Sequence, residues 1–122
     1  MNRIQVKAYH PVQGSPGLTI LMAENEEVTA CFLEFVLQKN GYRVIHSNNG
    51  EHAKRLMSTM DPPDAVLIDM ILPDTTGLDL LAYLRIQARW QTTPVAMLTT
   101  NAESLDPAQT ALLGVDDYIR KP

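Results

Sequence analysis

The chain has 122 residues, a length that suits one globular domain with a single core. Hydrophobic residues make up 45% of the sequence and charged residues 20%, which is typical of a folded protein and not of a disordered one. The formal net charge is −4, so nothing favours direct contact with nucleic acid or anionic membranes, both of which need a basic face. No apolar run approaches the length of about 18 residues that a membrane span needs. We therefore expect a cytoplasmic protein.

The first 17 residues lack any hydrophobic periodicity. Pro11, Gly14, Pro16 and Gly17 interrupt this stretch, and it contains no apolar run that would make it a secretory signal. We therefore predict that residues 1–17 are an N-terminal extension and that residues 18–122 form the domain.

The first predicted strand and helix follow the extension. Residues 18–23 are a short apolar run, long enough for a strand that is buried on both faces. A helix is predicted next, because apolar residues recur at helical spacing, namely Val28, Cys31, Phe32, Phe35 and Val36. Asn40 and Gly41 should end this helix. The lone cysteine, Cys31, is expected to be a small buried residue of its apolar face.

Four further strands and three helices complete the pattern. The strands are predicted at residues 42–47, 65–68, 94–98 and 117–119. Between them, one helix opens at Asn49 and Gly50, a second follows Gly77, and a short third helix ends at Gly114. Alternating strands and helices with apolar strands predict a doubly wound, three-layer α/β domain with a parallel sheet.

Polar residues follow the strands at their carboxyl ends, where such folds keep their functional sites. The first strand is followed by the acidic cluster from Glu24 to Glu26, the third by Asp69, the fourth by Thr99 and the fifth by Lys121. Carboxylates are ligands for Mg²⁺, an aspartate can accept a phosphoryl group, and a lysine can contact a phosphate oxygen. The sequence therefore predicts a pocket for a divalent cation and a phosphoryl group.

Three motifs resemble those of response-regulator receiver domains, and the likeness extends from about Leu18 to Pro122. The segment DMILPDTTGLDLL, which starts at Asp69, is similar to the family's phosphoacceptor segment. MLTT, which contains Thr99, resembles the strand that ends in the family's switch hydroxyl. GVDDYIRKP, which contains Lys121, is similar to the family's last-strand motif. The three occur in the family's order at the predicted strand ends.

The resemblance implies a fold and a set of roles. The fold would be flavodoxin-like, with five parallel strands in the order 2-1-3-4-5. Asp69 would accept a phosphoryl group from a sensor histidine kinase or a phosphotransfer protein, and Thr99 and Lys121 would contact it. Mg²⁺ would lie among four residues, namely Glu24, Asn25, Asp69 and the backbone carbonyl of Ile71. Thr99 and Tyr118 would form the switch that signals to a downstream output domain or protein. The domain would promote only its own Mg²⁺-dependent phosphorylation and dephosphorylation and would not be an enzyme otherwise.

Two features depart from the family pattern. The family has two acids after the first strand, whereas this chain has Glu24 and Asn25, so one negative charge near the metal is lost. We expect weaker Mg²⁺ binding. The family also has a fifth helix after the Lys-Pro pair, and this chain stops at Pro122, so we expect that helix to be missing. Apolar surface on one face of the sheet would then be bare, and a homodimer could cover it.

The same fold is also compatible with other functions. Asn25 motivates an alternative in which the chain is a pseudo-receiver, a protein-interaction module that works without phosphorylation. An aspartyl-phosphate phosphatase would need a second carboxylate just after the nucleophile, but Met70, Ile71 and Leu72 follow Asp69. We therefore favour the phosphorylated receiver over the pseudo-receiver and both over an enzyme.

Overall fold

The structure is a computed structural model that describes residues 17–100 and 107–121. Strands and helices alternate along the chain, as the sequence predicts. The strands are β1 (Thr19–Ala23), β2 (Arg43–Ser47), β3 (Ala65–Asp69), β4 (Val95–Thr99) and β5 (Asp117–Arg120). The helices are α1 (Glu27–Lys39), α2 (Gly50–Thr59), α3 (Gly77–Ile86) and α4 (Pro107–Leu112), with a single 3₁₀ turn at Ala88–Trp90.

All five strands are parallel and form one sheet in the order β2-β1-β3-β4-β5. The predicted strand order is confirmed. The chain reverses its direction of winding between β1 and β3, which pair side by side from Ile20–Ala65 to Ala23–Ile68. In open α/β sheets the crevice at the carboxyl ends of such a strand pair is the place where ligands bind.

Side chains alternate between two cores, one on each face of the sheet. On one face, Met57 of α2 and Leu81 of α3 pack with strand residues such as Ile68, all of them nearly or fully inaccessible to solvent. On the other face, Leu37 of α1 packs with strand residues such as Leu98. The central strands β3 and β4 are buried along their whole length, which explains why their sequences are apolar without alternation.

The orientation of α1 differs from the prediction. The sheet-facing side of α1 carries Thr29, Ala30 and Leu37, and these residues are buried. The predicted apolar face points outward instead: Cys31 is exposed, and so are Val28, Phe32 and Phe35 at 78%, 52% and 60%. The expectation of a buried cysteine is therefore wrong. Two apolar stripes run along this helix, and the stripe with the small residues faces the sheet because it allows closer approach.

One prediction concerns an end of the chain that the structure describes only in part. Of the predicted extension, residues 1–17, only Gly17 is described, and the rest lies outside the described ranges. Among the helices of those ranges, none is both long enough and apolar enough to cross a membrane.

Gly77, the first residue of α3, lies directly against the backbone of β3. A Cβ atom at this position would lie 2.2 Å from the carbonyl oxygen of Asp69 and 2.8 Å from the Cε atom of Met97. Both distances are shorter than any normal contact, and one of the atoms belongs to the backbone. Only glycine allows α3 to start this close to the end of β3.

We therefore expect Gly77→Ala to lower the free energy of unfolding by about 1–3 kcal/mol, the usual result of overpacking. Helix propensity alone predicts the opposite sign, since alanine in place of a helical glycine gains about 1 kcal/mol. Urea denaturation followed by circular dichroism measures the difference. A variant as stable as the wild-type chain, or more stable, would contradict the close approach.

Candidate functional site

The two carboxylates of the site follow β1 and β3, the neighbouring strands at which the winding reverses. Glu24 comes directly after β1, and Asp69 is the last residue of β3. The Glu24 side chain is fully buried, and Asp69 is 5% exposed. Because parallel strands end at the same edge of a sheet, these two residues, far apart in sequence, are close in space.

Asp69 is held by the backbone around it. Its Oδ1 atom accepts a hydrogen bond from the amide of Ile71 at 3.3 Å. The amide of the next residue, Met70, donates to the Leu98 carbonyl of β4 at 3.0 Å, so the chain remains attached to the sheet just beyond Asp69. The Asp69 carboxylate is therefore fixed at the end of the strand while its oxygens reach the surface of a cleft.

Lys121 joins the two carboxylates. Its ammonium lies 2.8 Å from Asp69 Oδ2, 2.8 Å from Glu24 Oε1 and 3.2 Å from Glu24 Oε2. The backbone amide of Lys121 donates to the Thr99 carbonyl at 2.9 Å, which extends the pairing of β5 with β4 by one residue. Lys121 is thereby held at the same end of the sheet as Glu24 and Asp69, and the three side chains form one cluster.

Burial and charge act in opposite directions on this cluster. Desolvation by burial would by itself lower the pKa of Lys121, but the hydrogen bonds and attraction of Asp69 and Glu24 outweigh it and raise that pKa above 10.5. For Glu24, desolvation by burial raises the pKa above 4.5, the nearby Asp69 carboxyl raises it further, and Lys121 opposes both effects. The ammonium therefore remains charged at neutral pH and offsets the repulsion between the two carboxylates.

The cluster forms part of the wall of an open cleft of about 670 Å³. Of the predicted site residues, five line this cleft, namely Asn25, Asp69, Ile71, Thr99 and Lys121. Glu24 lies behind the wall, where its carboxylate contacts Lys121. Tyr118 is also away from the cleft and packs, half-buried, against the core on the α2 and α3 side of the sheet.

Within residues 17–100 and 107–121, no group of three or more His, Cys, Asp and Glu side chains is arranged to hold a metal ion. A metal in the cleft would need mixed oxygen donors instead. Asn25, Asp69 and Ile71 all line the cleft, and they carry an amide, a carboxylate and a backbone carbonyl. Oxygen donors of these kinds suit Mg²⁺, which keeps several waters and takes only one or two carboxylates from a protein. The donor set therefore fits the ion, with one carboxylate at the cleft surface among these three.

A family model for the response regulator receiver domain matches residues 20–122. The chain belongs to this family. The curated relatives that it matches are longer proteins. It is 37% identical over 103 residues to the transcriptional regulatory protein KdpE of Mycobacterium tuberculosis, covering 84% of this chain and 44% of the relative. It is 35% identical over 103 residues to the alkaline phosphatase synthesis transcriptional regulatory protein PhoP of Bacillus subtilis, covering 84% and 42%. The receiver domain thus spans less than half the length of these relatives.

Solved receiver domains have the same fold. The receiver domain of sensor histidine kinase PA1611 from Pseudomonas aeruginosa, with a magnesium ion coordinated in its active site cleft, superimposes with a TM-score of 0.79 at 32% identity. The match covers 88% of this chain and 87% of that one. The chemotaxis response regulator CheY4 of Vibrio cholerae matches with a TM-score of 0.80 at 22% identity, covering 88% of each chain, and supports the fold alone.

Sequence reasoning missed several residues at the edge of the cleft of this receiver domain. Thr76 and Asp79 both line the cleft, and the Thr76 hydroxyl accepts a hydrogen bond from the Asp79 amide at 3.1 Å, which caps α3. Their spacing, a threonine three residues before an acid, is a helix-start signal that the sequence already contains. Asp74 and Gly50 also contact each other near the cleft, but they are 24 residues apart and no local pattern relates them.

Lys121 lies between two carboxylates, and removing the charge of one of them should change its pKa. In Asp69→Asn one of the two charges that raise the Lys121 pKa is removed, while the burial that lowers it remains, so this pKa should fall. Since the folded pKa of Lys121 exceeds its ordinary value of 10.5, its contribution to stability is complete below that value and is lost as pH rises through the folded pKa.

Lysine-specific ¹³C NMR measures this pKa in the wild-type chain and in Asp69→Asn, with the Lys121 signal assigned through Lys121→Arg. The other lysine signals serve as the internal control and should titrate alike in the two proteins. An equal Lys121 pKa in both proteins would contradict the ion pair.

Proposed function

We propose that this receiver domain accepts a phosphoryl group on Asp69 from a phosphohistidine of a sensor histidine kinase or a phosphotransfer protein. The contact between Asp69 Oδ2 and the Lys121 ammonium, 2.8 Å long at the wall of an open cleft, carries this proposal. A carboxylate that could act as a nucleophile, a cation that could bind a phosphate and room for a substrate lie together there, and this supports the proposal.

The transfer would be a direct displacement. An oxygen of Asp69 attacks the phosphorus, the bond from phosphorus to the histidine nitrogen breaks, and the phosphoryl group becomes an acyl phosphate on Asp69. Lys121 then exchanges part of its contact with the carboxylate for a phosphate oxygen, and it remains anchored by Glu24, which is 2.8 Å away. In this proposal Glu24 orients the lysine and does not contact the phosphate.

Asn25, Asp69 and the carbonyl of Ile71 would hold Mg²⁺ at the wall of the cleft, with Glu24 adding charge from behind. When bound there, the ion would supply positive charge that offsets the negative charge of the phosphoryl oxygens. Asn25 provides an amide oxygen where a carboxylate would provide a full negative charge, so we expect this chain to bind the ion more weakly than a variant with an acid at that position.

Thr99 and Tyr118 would transmit the change. Thr99 lines the same cleft as Asp69, and Tyr118 lies on β5, paired in register with Met97 two residues before Thr99. A new charge at Asp69 would attract the Thr99 hydroxyl and shift the equilibrium between two packings of Tyr118. The reader of that change would be an output domain, a partner protein or a second copy of the chain, in the cytoplasm.

Intact mass spectrometry tests the acceptor. After incubation with acetyl phosphate or phosphoramidate and Mg²⁺, the chain should gain the mass of one phosphoryl group, and Asp69→Ala should gain none. Asp79→Ala is a suitable control because it removes another carboxylate from the same cleft. Addition to Asp69→Ala would place the acceptor elsewhere.

Asn25→Asp tests the metal ligand. The new carboxylate should lower the Kd for Mg²⁺ by roughly tenfold or more, because a full charge acts on a dication at short range and is only partly screened by water. Asn48→Asp makes the same change of net charge in a neighbouring exposed loop and should leave the Kd unchanged. Isothermal titration with MgCl₂ measures both, and equal Kd values for Asn25→Asp and the wild-type chain would argue against Asn25 as a ligand.

The pseudo-receiver is the second candidate, and two observations favour it. Asn25 leaves the cleft one charge short, and Lys121 already contacts both Glu24 and Asp69 and offsets part of their negative charge within the protein. In that case the folded wild-type chain would gain no phosphoryl group, and Asn25→Asp would be needed to obtain phosphorylation. The mass measurement on the two proteins separates the two functions.

A further inference from the structure

The loop between β3 and α3 touches the start of α2 through Asp74. Asp74 Oδ1 accepts a hydrogen bond from the Gly50 amide at 2.8 Å, and Oδ2 accepts one from the Glu51 amide at 2.9 Å. The first amides of a helix have no partner within the helix, so both would otherwise bind water. A carboxylate at the positive end of the helix dipole is also electrostatically favoured. The bidentate contact therefore ties the loop to the helix.

The same loop carries the phosphoacceptor end of the site. Its two sides are joined by a hydrogen bond from the Leu72 amide to the Thr75 carbonyl, 3.0 Å long, and by an antiparallel bridge between Ile71 and Thr76. At its base the Gly77 amide donates to the Met70 carbonyl at 2.8 Å. The loop is thus a narrow closed turn, and fixing its tip at Asp74 restricts where the Ile71 carbonyl lies relative to Asp69.

Close packing at Gly50 shows how tightly the turn rests on the helix. A Cβ atom on Gly50 would lie 2.3 Å from Thr75 Cγ2 and 3.2 Å from Asp74 Oδ1. A side chain at position 50 would therefore have to displace the Thr75 methyl and would crowd the Asp74 carboxylate. Gly50 and Asp74 belong to the same contact: Gly50 leaves room for the turn, and Asp74 forms the hydrogen bonds to the helix.

The start of α2 is connected to the acidic loop as well. Asn49 caps the helix by accepting a hydrogen bond from the His52 amide, and the His52 ring lies 2.9 Å from the Ser47 hydroxyl. The Ser47 carbonyl accepts from the Glu24 amide at 2.9 Å, and the His46 ring lies 2.8 Å from the Glu24 carbonyl. One structural unit, the end of β2 with the start of α2, thus contacts the loops on both sides of the cleft.

We propose that Asp74 is a positioning residue of the site: by binding the first two amides of α2, it holds the turn that sets the Ile71 carbonyl beside Asp69. The inference rests on the proposed function, because the turn it fixes carries the proposed acceptor and one of the proposed metal donors. The hydrogen bonds from Gly50 and Glu51 also lower the pKa of Asp74 below 3.8, so the carboxylate remains charged at neutral pH.

Asp74→Ala and Asp74→Asn break the contact from the side of the turn, and Gly50→Ala breaks it from the side of the helix. Asp64→Ala is a matched control: Asp64 is another exposed carboxylate that accepts a long-range backbone hydrogen bond, from the Thr19 amide at 2.7 Å, but it lies at the opposite edge of the sheet. All variants are made in the full 122-residue chain. Amide hydrogen exchange and calorimetric titration with MgCl₂ are measured on each, together with stability in urea.

In Asp74→Ala and Gly50→Ala, amides 50–51 and 71–72 should exchange faster together, while amides of β4 remain protected. The Kd for Mg²⁺ should rise about tenfold, as is usual when a residue that orients a metal ligand is lost. Asp74→Asn keeps one acceptor oxygen and should lie between Asp74→Ala and the wild-type chain. The double variant of Asp74→Ala with Gly50→Ala should be no worse than the more affected single variant, since both remove one contact.

Asp64→Ala should lower stability without altering the Kd for Mg²⁺ or exchange at amides 71–72. The inference is overturned if Asp74→Ala binds Mg²⁺ as the wild-type chain does, if amides 71–72 are unaffected, or if Asp64→Ala has the same effects. These readouts require no phosphoryl transfer. A wild-type chain that is not phosphorylated on Asp69 would therefore refute the proposed function and leave the positioning role standing on its own measurements.

Discussion

Two carboxylates that would repel each other lie side by side at the edge of a parallel sheet, and the Lys121 ammonium between them makes the arrangement stable. Glu24 is fully buried and Asp69 nearly so, with the ammonium 2.8 Å from an oxygen of each. A buried charge without a partner would be strongly unfavourable. Every other part of the site is arranged around this ion pair: β1, β3 and β5 deliver its three members, and the cleft opens beside it.

The sheet explains why the polar site lies at the carboxyl ends of the strands, whereas the apolar core lies along their length. Strands β3 and β4 are buried throughout, so polar groups occur where the strands end. The turn after Asp69 is closed by its own hydrogen bonds and contacts α2 through Asp74 and Gly50. The binding edge is thus supported by hydrogen bonds between loops, whereas the rest of the domain is supported by apolar packing.

Membership of the receiver family establishes the type of domain, whereas its metal binding and phosphorylation depend on the particular residues of this chain. Asn25 lines the cleft with a neutral amide where a carboxylate would add a negative charge, and Glu24 is buried beside Lys121. In the proposed function, Mg²⁺ and Lys121 would compete for Asp69, and the neutral side chain of Asn25 would weaken the binding of the ion.

The sequence by itself determined the order of strands and helices, the parallel sheet and the positions of Asp69, Thr99 and Lys121 at strand ends, because short-range periodicity and turn residues encode these features. It could not decide which of two apolar stripes of α1 faces the sheet, so Cys31 was misplaced; only packing against the strands selects the stripe with Ala30. Nor could it show that Glu24 pairs with Lys121 behind the cleft or that Asp74 binds α2. Those contacts join residues 97 and 24 positions apart, and only the tertiary structure brings them together.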